Sequence, residues 1–323
     1  MQKVAINGLG RIGRAALKIV MDNPKLDLVA VNDIVPADNL AYLLRYDTVY
    51  GRYEKEVKAE SDSLVIDGKK IPVCSEKDPS QLPWGDMGVD TVFECTGIFT
   101  KGPDMQKHLD AGAKRVILSA PAKDDTDTVV HAVNSSDSEK FSTASCTTNC
   151  ITPVVESMDR NIGVEKAIMT TVHAYTANQA IVDVPSSNLR RGRAGACNFV
   201  PTSTGAAKAT AKVLTQFKGK FDGIAIRGPV PVGSIADVVF LTSRDTTREE
   251  INEMLTKEAN TKYSGIMGVC EEEIVSSDII ADPRASIVDL TMTQVVDGNL
   301  VKVLAWYDNE WGYANQMVRE AAC

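Results

Sequence analysis

Within the first twenty residues a short apolar run, Lys3–Asn7, breaks into Gly8-Leu9-Gly10-Arg11-Ile12-Gly13 and continues as helical spacing to Asp22. Few other arrangements restrict a fold so tightly. Gly8 permits a sharp turn, Gly10 lets backbone N–H groups approach a bound anion, and Gly13 lets the helix close on the strand. The helix start adds partial positive charge, which suits a pyrophosphate. A second apolar run, Asp27–Val31, leads to Asp33, where a carboxylate can accept hydrogen bonds from ribose hydroxyls. Strand, glycine turn, helix, strand and acid together imply an α/β domain with a Rossmann-type, doubly wound parallel sheet. A 2′-phosphate beside Asp33 would meet a like charge, and Ile34, Val35 and Pro36 supply no arginine to offset it. NAD is therefore expected, with NADP the poorer fit.

The alternation continues with apolar runs at Thr91–Cys95 and Arg115–Ser119 and helical spacing at Pro103–Ala111 between them. Leu64–Ile71, with Asp67-Gly68 at its centre, reads as a hairpin inserted in this domain. After residue 145 the pattern shifts. Strand-like runs at Ala167–Thr176, Gly223–Arg227, Ile235–Ser243, Ser286–Val296 and Val301–Tyr307 outnumber helices, and Thr247–Ala259 opens with the spacing of a capping box. The expected organisation is a nucleotide-binding domain over 1–145 and an α+β catalytic domain with a mixed or antiparallel sheet over 146–308. A helix over 309–323 is expected to return to the first domain.

A formal charge of −8 gives no global basic field to draw the chain to nucleic acid or to an anionic membrane. No stretch approaches the roughly 20 apolar residues of a membrane span. The chain starts directly in a strand-like run without a signal-peptide pattern, and its seven cysteines are odd in number and scattered. A reducing cytoplasm is the expected location.

Ser145-Cys146-Thr147-Thr148-Asn149-Cys150 precedes an apolar helical run, so Cys146 is expected at a helix start, where thiolate is favoured. The chain holds only three histidines and none is near this segment, which argues against a metal site. The segment resembles the active-site signature of the glyceraldehyde-3-phosphate dehydrogenases. Ile6–Arg14, Thr171–Thr176, Pro201–Ala209 and Trp306–Tyr313 resemble that family in the same order, so the likeness spans nearly the whole chain.

The resemblance implies a phosphorylating aldehyde dehydrogenase that converts glyceraldehyde 3-phosphate, inorganic phosphate and NAD through a cysteine hemithioacetal and thioester. Cys146 would be the nucleophile and His173 its ion-pair partner and base. Thr176, Arg193 and Arg227 would hold the substrate phosphate, and Ser145, Thr147, Thr204 and Gly205 the inorganic phosphate. Gly8, Gly10, Arg11, Ile12, Gly13, Asp33, Lys77, Ser119 and Asn309 would bind NAD. The family implies a homotetramer. One departure stands beside Arg227: Gly228-Pro229-Val230-Pro231-Val232-Gly233-Ser234 replaces the usual Val-Pro-Thr-Pro-Asn-Val-Ser. Erythrose-4-phosphate dehydrogenase is the nearest rival, but lacks the His-x-Tyr-Thr and Thr-Gly-Ala-Ala-Lys motifs present here. Aspartate-semialdehyde dehydrogenase needs no phosphate sites. A non-enzymatic binding role on the same fold is the third alternative, and Cys146 and His173 count against it as the main role but not as a second one.

Overall fold

The computed structural model describes residues 1–322. They group into two compact units. One holds Met1–His131, Ser135–Ala144 and the chain from Met317, the other Ala132–Asn134 and Ser145–Gln316.

The first unit opens with β1 (Gln2–Asn7), α1 (Arg11–Met21), β2 (Leu26–Asn32) and α2 (Ala37–Arg45). Val4, Ala5 and Ile6 have no exposed surface, as a strand covered on both faces requires. Then come the paired β3 (Tyr46–Asp47) and β4 (Gly51–Arg52), followed by β5 (Val57–Ala59), β6 (Ser63–Ile66) and β7 (Lys69–Cys74). The unit continues with α3 (Trp84–Met87), β8 (Thr91–Glu94), α4 (Gly102–Asp110), β9 (Arg115–Leu118) and β10 (Lys140–Ser142). The sheet order is β10-β9-β8-β1-β2-β7-β6-β5. Every pairing from β10 to β7 is parallel. β1 is the switch point, because the chain moves to β2 on one side and later to β8 on the other.

The Asp-Gly hairpin forms, with Asp67 and Gly68 both at positive φ, as a two-residue I′ turn demands. It is not a separate insertion. β7 pairs with β2 through Val31 and Asn32, so the antiparallel strands β7, β6 and β5 extend the parallel sheet to its edge.

The second unit runs α5 (Cys146–Asn161), β11 (Val164–Ala174), β12 (Val200–Ser203), α6 (Ala206–Val213), β13 (Phe221–Gly228) and β14 (Ser234–Thr242). It continues with α7 (Arg248–Asn260), β15 (Met267–Cys270), β16 (Ser286–Val296) and β17 (Leu300–Tyr307), and α8 (Trp311–Ala322) begins in this unit but belongs to the first from Met317. Its sheet, ordered β12-β13-β11-β14-β17-β16-β15, is mixed, with β11–β13 and β15–β16 parallel and the other pairs antiparallel. Helix α5 packs on the sheet through Ile151, Val154, Val155 and Met158, all without exposed surface. Each such side chain is worth about 1.5–3 kcal/mol when fully buried. Thr247 caps α7 by accepting from Glu250 N, but the Glu250 carboxylate turns to Arg244 and Thr246, so only half of the expected capping box forms.

Among the described residues, the opposite face of this sheet carries exposed apolar side chains beside the Asp237–Lys302 ion pair. Ile168, Ile224, Val296 and Leu300 are each more than 40% exposed. Among the described residues no helix is long and apolar enough to cross a membrane.

Candidate active site

Ser145 is the N-cap of α5, its Oγ accepting from Thr148 N at 3.1 Å, and Cys146 is therefore the first helical residue. His173 lies near the end of β11 and Arg227 is its partner in the adjacent parallel strand β13. Cys146 Sγ is 3.3 Å from His173 Nε2. The other ring nitrogen, Nδ1, is 2.7 Å from the Ala174 carbonyl and 2.6 Å from Arg227 Nη1. These two neighbours favour opposite tautomers. A bond to the carbonyl places the proton on Nδ1 and frees Nε2 to accept from the thiol, whereas a bond from the guanidinium does the reverse.

Burial pushes the Cys146 thiol up, while the Arg227 charge and the backbone N–H groups of Thr147 and Cys146 pull it down. His173 is driven down to about 3, first by burial and then by Arg227, with the Ala174 carbonyl acting the other way. The expected standing thiolate–imidazolium pair is thus disfavoured in this geometry. Desolvation outweighs the helix start, and a guanidinium already occupies the far side of the ring.

Tyr307 escaped the sequence reading. Its hydroxyl lies 2.8 Å from both Thr147 Oγ1 and Thr171 Oγ1, and its ring meets that of His173 edge-on at 5.9 Å. It ties the first turn of α5 to β11. Its place in the Trp306–Tyr313 segment, at the end of an apolar strand, was the available signal. Cys150, one turn beyond Cys146, has no exposed surface and bonds Ser286 Oγ and the Ala305 carbonyl. Burial pushes its thiol up to about 12, which leaves it unreactive.

The glycine turn fits a dinucleotide. Gly8 has φ +93°, and a Cβ on Gly13 would lie 1.9 Å from the Gly8 carbonyl oxygen. A Cβ on Gly10 would meet nothing within 4 Å, and α1 begins without a capping side chain. Its first N–H groups, at Arg11 and Ile12, thus face an open approach for an anion. The Arg11 side chain turns away to Asp47 at 2.5 Å, consistent with a backbone contact only. Asp33 accepts from Leu9 N at 2.7 Å and Val35 N at 3.0 Å, which aims the carboxylate and leaves lone pairs for ribose. Ser119 follows β9 and bonds the Glu94 carbonyl through its N–H, and Lys77 is exposed after β7. In the second unit Asn309 Oδ1 accepts from Gly233 N and Ser234 Oγ, which leaves the donor end of its amide for a carboxamide.

Residues 2–102 match the family model described as the NAD binding domain of glyceraldehyde 3-phosphate dehydrogenase, and residues 145–309 match that of its C-terminal domain. The chain belongs to the glyceraldehyde-3-phosphate dehydrogenase family. It is 49% identical to glyceraldehyde-3-phosphate dehydrogenase 2 of Streptomyces avermitilis, over 98% of this chain and 96% of the relative. It is 48% identical to the enzyme of Zymomonas mobilis, over 99% and 97%. With glyceraldehyde-3-phosphate dehydrogenase 1 of Bacillus subtilis the identity is 46%, again over 99% and 97%. As in that family, the chain is an oxidoreductase and its cofactor is NAD.

The residues that resemblance to this dehydrogenase family assigns to phosphate lie in several places. Thr176 Oγ1 is shielded from solvent and has no hydrogen-bond partner among the described residues. Arg193 is largely exposed and pairs with Asp183 at 2.7 Å, so the structure does not bring it onto the Cys146 group. Thr147 is committed to Tyr307, and Ser145 to its capping bond. Thr204 Oγ1 accepts from Ala206 N, and α6 starts after Gly205 without a capping side chain. The segment that departs from the family pattern supplies Gly233 and Ser234 to Asn309. A Cβ on Gly233 would lie 2.3 Å from the Ser276 carbonyl, so glycine is needed there. Ser234 Oγ also accepts from Ala174 N, which connects Asn309 to the strand of His173.

Proposed function

We propose that the chain oxidises glyceraldehyde 3-phosphate to 1,3-bisphosphoglycerate with inorganic phosphate, using Cys146 as nucleophile and His173 as base. The observation that carries this reading is the 3.3 Å approach of Cys146 Sγ to His173 Nε2 at the start of a helix. Sulfur adds to the aldehyde carbon as its proton passes to Nε2 and from there to the carbonyl oxygen, giving a hemithioacetal and returning the imidazole to its neutral form. The backbone N–H groups of Cys146 and Thr147 at the start of α5 face the sulfur and would stabilise an oxygen that gains charge beside it. His173 then takes the hemithioacetal hydroxyl proton. NAD held at the glycine turn would supply the hydride acceptor, and loss of hydride from this carbon leaves a thioester to Cys146. A phosphate oxygen attacks the thioester carbon, the C–S bond breaks, and sulfur departs as thiolate.

Arg227, Thr176 and Arg193 serve the substrate phosphate, and Ser145, Thr147, Thr204 and Gly205 serve inorganic phosphate, by guanidinium, hydroxyl and backbone donors. Arg193 must exchange Asp183 for the ligand, and at an exposed ion pair that exchange costs little. Gly8, Gly10, Arg11, Ile12, Gly13, Asp33, Lys77 and Ser119 seat the dinucleotide, and Asn309 takes the carboxamide. The protein works in the cytoplasm, where its unpaired thiols persist. It works as a homotetramer, and the face of the seven-stranded sheet with exposed apolar side chains is the surface that supports assembly. Initial rates with glyceraldehyde 3-phosphate, with and without phosphate and with NAD against NADP, test the reaction. A rate indifferent to phosphate, or faster with erythrose 4-phosphate, would overturn it.

A further inference from the structure

Beneath the Gly8 turn lies a polar cluster for which the reaction above has no role. Glu94 at the end of β8 and His108 on α4 have no exposed surface. Trp84 Nε1 donates to His108 Nδ1 at 3.0 Å. An indole N–H can only donate, so the imidazole proton sits on Nε2, which donates to Glu94 Oε2 at 3.1 Å. Asn7 Nδ2 donates to the same oxygen at 2.5 Å. The other oxygen accepts from Thr96 N at 2.8 Å and Thr96 Oγ1 at 2.5 Å. The carboxyl therefore serves only as an acceptor, with no Lys or Arg among its partners. Burying a carboxyl in this way is unfavourable unless every lone pair is used, so the arrangement tolerates little change.

What it holds is the cofactor end of the parallel sheet. Asn7 directly precedes Gly8, and its Oδ1 accepts from Asn32 Nδ2 at 2.7 Å. Asn32 in turn grips Glu76, the neighbour of Lys77, through two bonds of 2.9 Å. The Asn32 carbonyl accepts from Gly8 N at 2.8 Å, and that of Asn7 accepts from Cys95 N at 2.7 Å. Thr96 backs on the turn so closely that a Cβ on Gly8 would lie 2.8 Å from Thr96 N. One carboxylate thus joins the glycine turn, the Glu76 segment and the Thr96 segment.

We propose that Glu94 is a positioning residue for NAD: by holding Asn7 and Thr96 to one carboxylate, it fixes the Gly8 turn on which the dinucleotide is seated. The inference rests on the reading of Gly8–Gly13 as the NAD turn. Glu94 touches no ligand. It acts through the aim of N–H groups whose value falls away with small displacements.

Glu94→Gln keeps the shape but turns one acceptor into a donor that faces donors. Expected for this variant is an NAD dissociation constant raised about tenfold or more in equilibrium titration, with KM for NAD rising in step. At saturating NAD, kcat should stay within about threefold and Cys146 alkylation should be unchanged, since that chemistry does not pass through Glu94. Thr96→Val, which removes one donor at nearly constant volume, should weaken NAD by a smaller factor, about threefold. A lowered melting midpoint with unaltered NAD affinity in both variants would show Glu94 to be merely structural and overturn the proposal. Should Glu94→Gln not fold, Thr96→Val decides by the same titration: weaker NAD binding supports the proposal and equal binding overturns it. A wild-type chain that bound no NAD would sink the cofactor reading and this inference with it, whereas intact affinity in folded variants sinks this inference alone.

Discussion

Arg227 Nη1 stands 2.6 Å from His173 Nδ1, at the ring nitrogen that does not face Cys146. A guanidinium in that position stabilises a thiolate nearby and penalises an imidazolium, so it acts on the two reacting groups in opposite senses. An anionic ligand that engages Arg227 would relax the penalty on His173.

The first prediction follows from that contact. In Arg227→Leu the imidazole should take up its proton at a higher pH than the value of about 3 that burial and Arg227 together impose. Titration of isotopically labelled histidine by NMR, with His173 assigned by its absence in His173→Asn, reads this directly. A midpoint that does not move would remove Arg227 as a cause.

Stability should carry the same signature. The folded-state value for His173 lies below the ordinary histidine value of 6.5. The unfolded chain therefore binds the extra proton first, and the contribution is complete above about pH 6.5 and is lost as pH falls towards 3. Between pH 6.5 and 5 the wild type should lose about 2 kcal/mol more than His173→Asn, whose side chain does not titrate. Denaturant midpoints at the two pH values measure it, and parallel losses would contradict the burial argument. The same variant should slow acylation by about 10²–10⁴-fold without abolishing it, because the helix start still favours sulfur anion.

The two cysteines of α5 should separate cleanly. Cys146→Ser should abolish turnover while NAD still binds, since the glycine turn belongs to the other unit. Cys150→Ser should retain turnover within about threefold, because a buried thiol at about 12 takes no part in the chemistry. Peptide mapping after iodoacetamide at neutral pH should find the fast label on Cys146. Equal labelling of Cys150 would contradict its burial.

Gly10 and Gly13 should fail in different ways. Gly10→Ala meets no atom of the chain within 4 Å, so the melting midpoint should hold while NAD affinity falls about tenfold or more. Gly13→Ala drives a methyl to 1.9 Å from the Gly8 carbonyl and should cost about 3 kcal/mol or more of stability. Loss of stability in Gly10→Ala with unchanged affinity would reverse the assignment of the two glycines.

What the sequence reveals of this site is local. The turn at Gly8–Gly13, the acid at Asp33 and the start of α5 each depend on residues within a few positions of one another, and each can be read from spacing. The hairpin at Asp67-Gly68 was legible in the same way, but its place at the sheet edge was not, since that depends on β7 meeting β2. Tyr307 reaching Thr147 and Thr171, and Ser234 linking Asn309 to Ala174, join positions far apart in the chain, and no spacing within a motif announces which of them meet. The state of the Cys146–His173 pair also lay beyond reach, because a helix start is visible in sequence whereas the depth of burial that opposes it is not.

Helix α5 carries its reactive sulfur on its first turn and, further along, several of the most deeply packed side chains of its unit. A nucleophile mounted on so firmly seated an element cannot drift from its partner while the core stays shut. Heat should therefore take activity and tertiary structure away together, leaving no warm interval in which an intact protein has already gone silent.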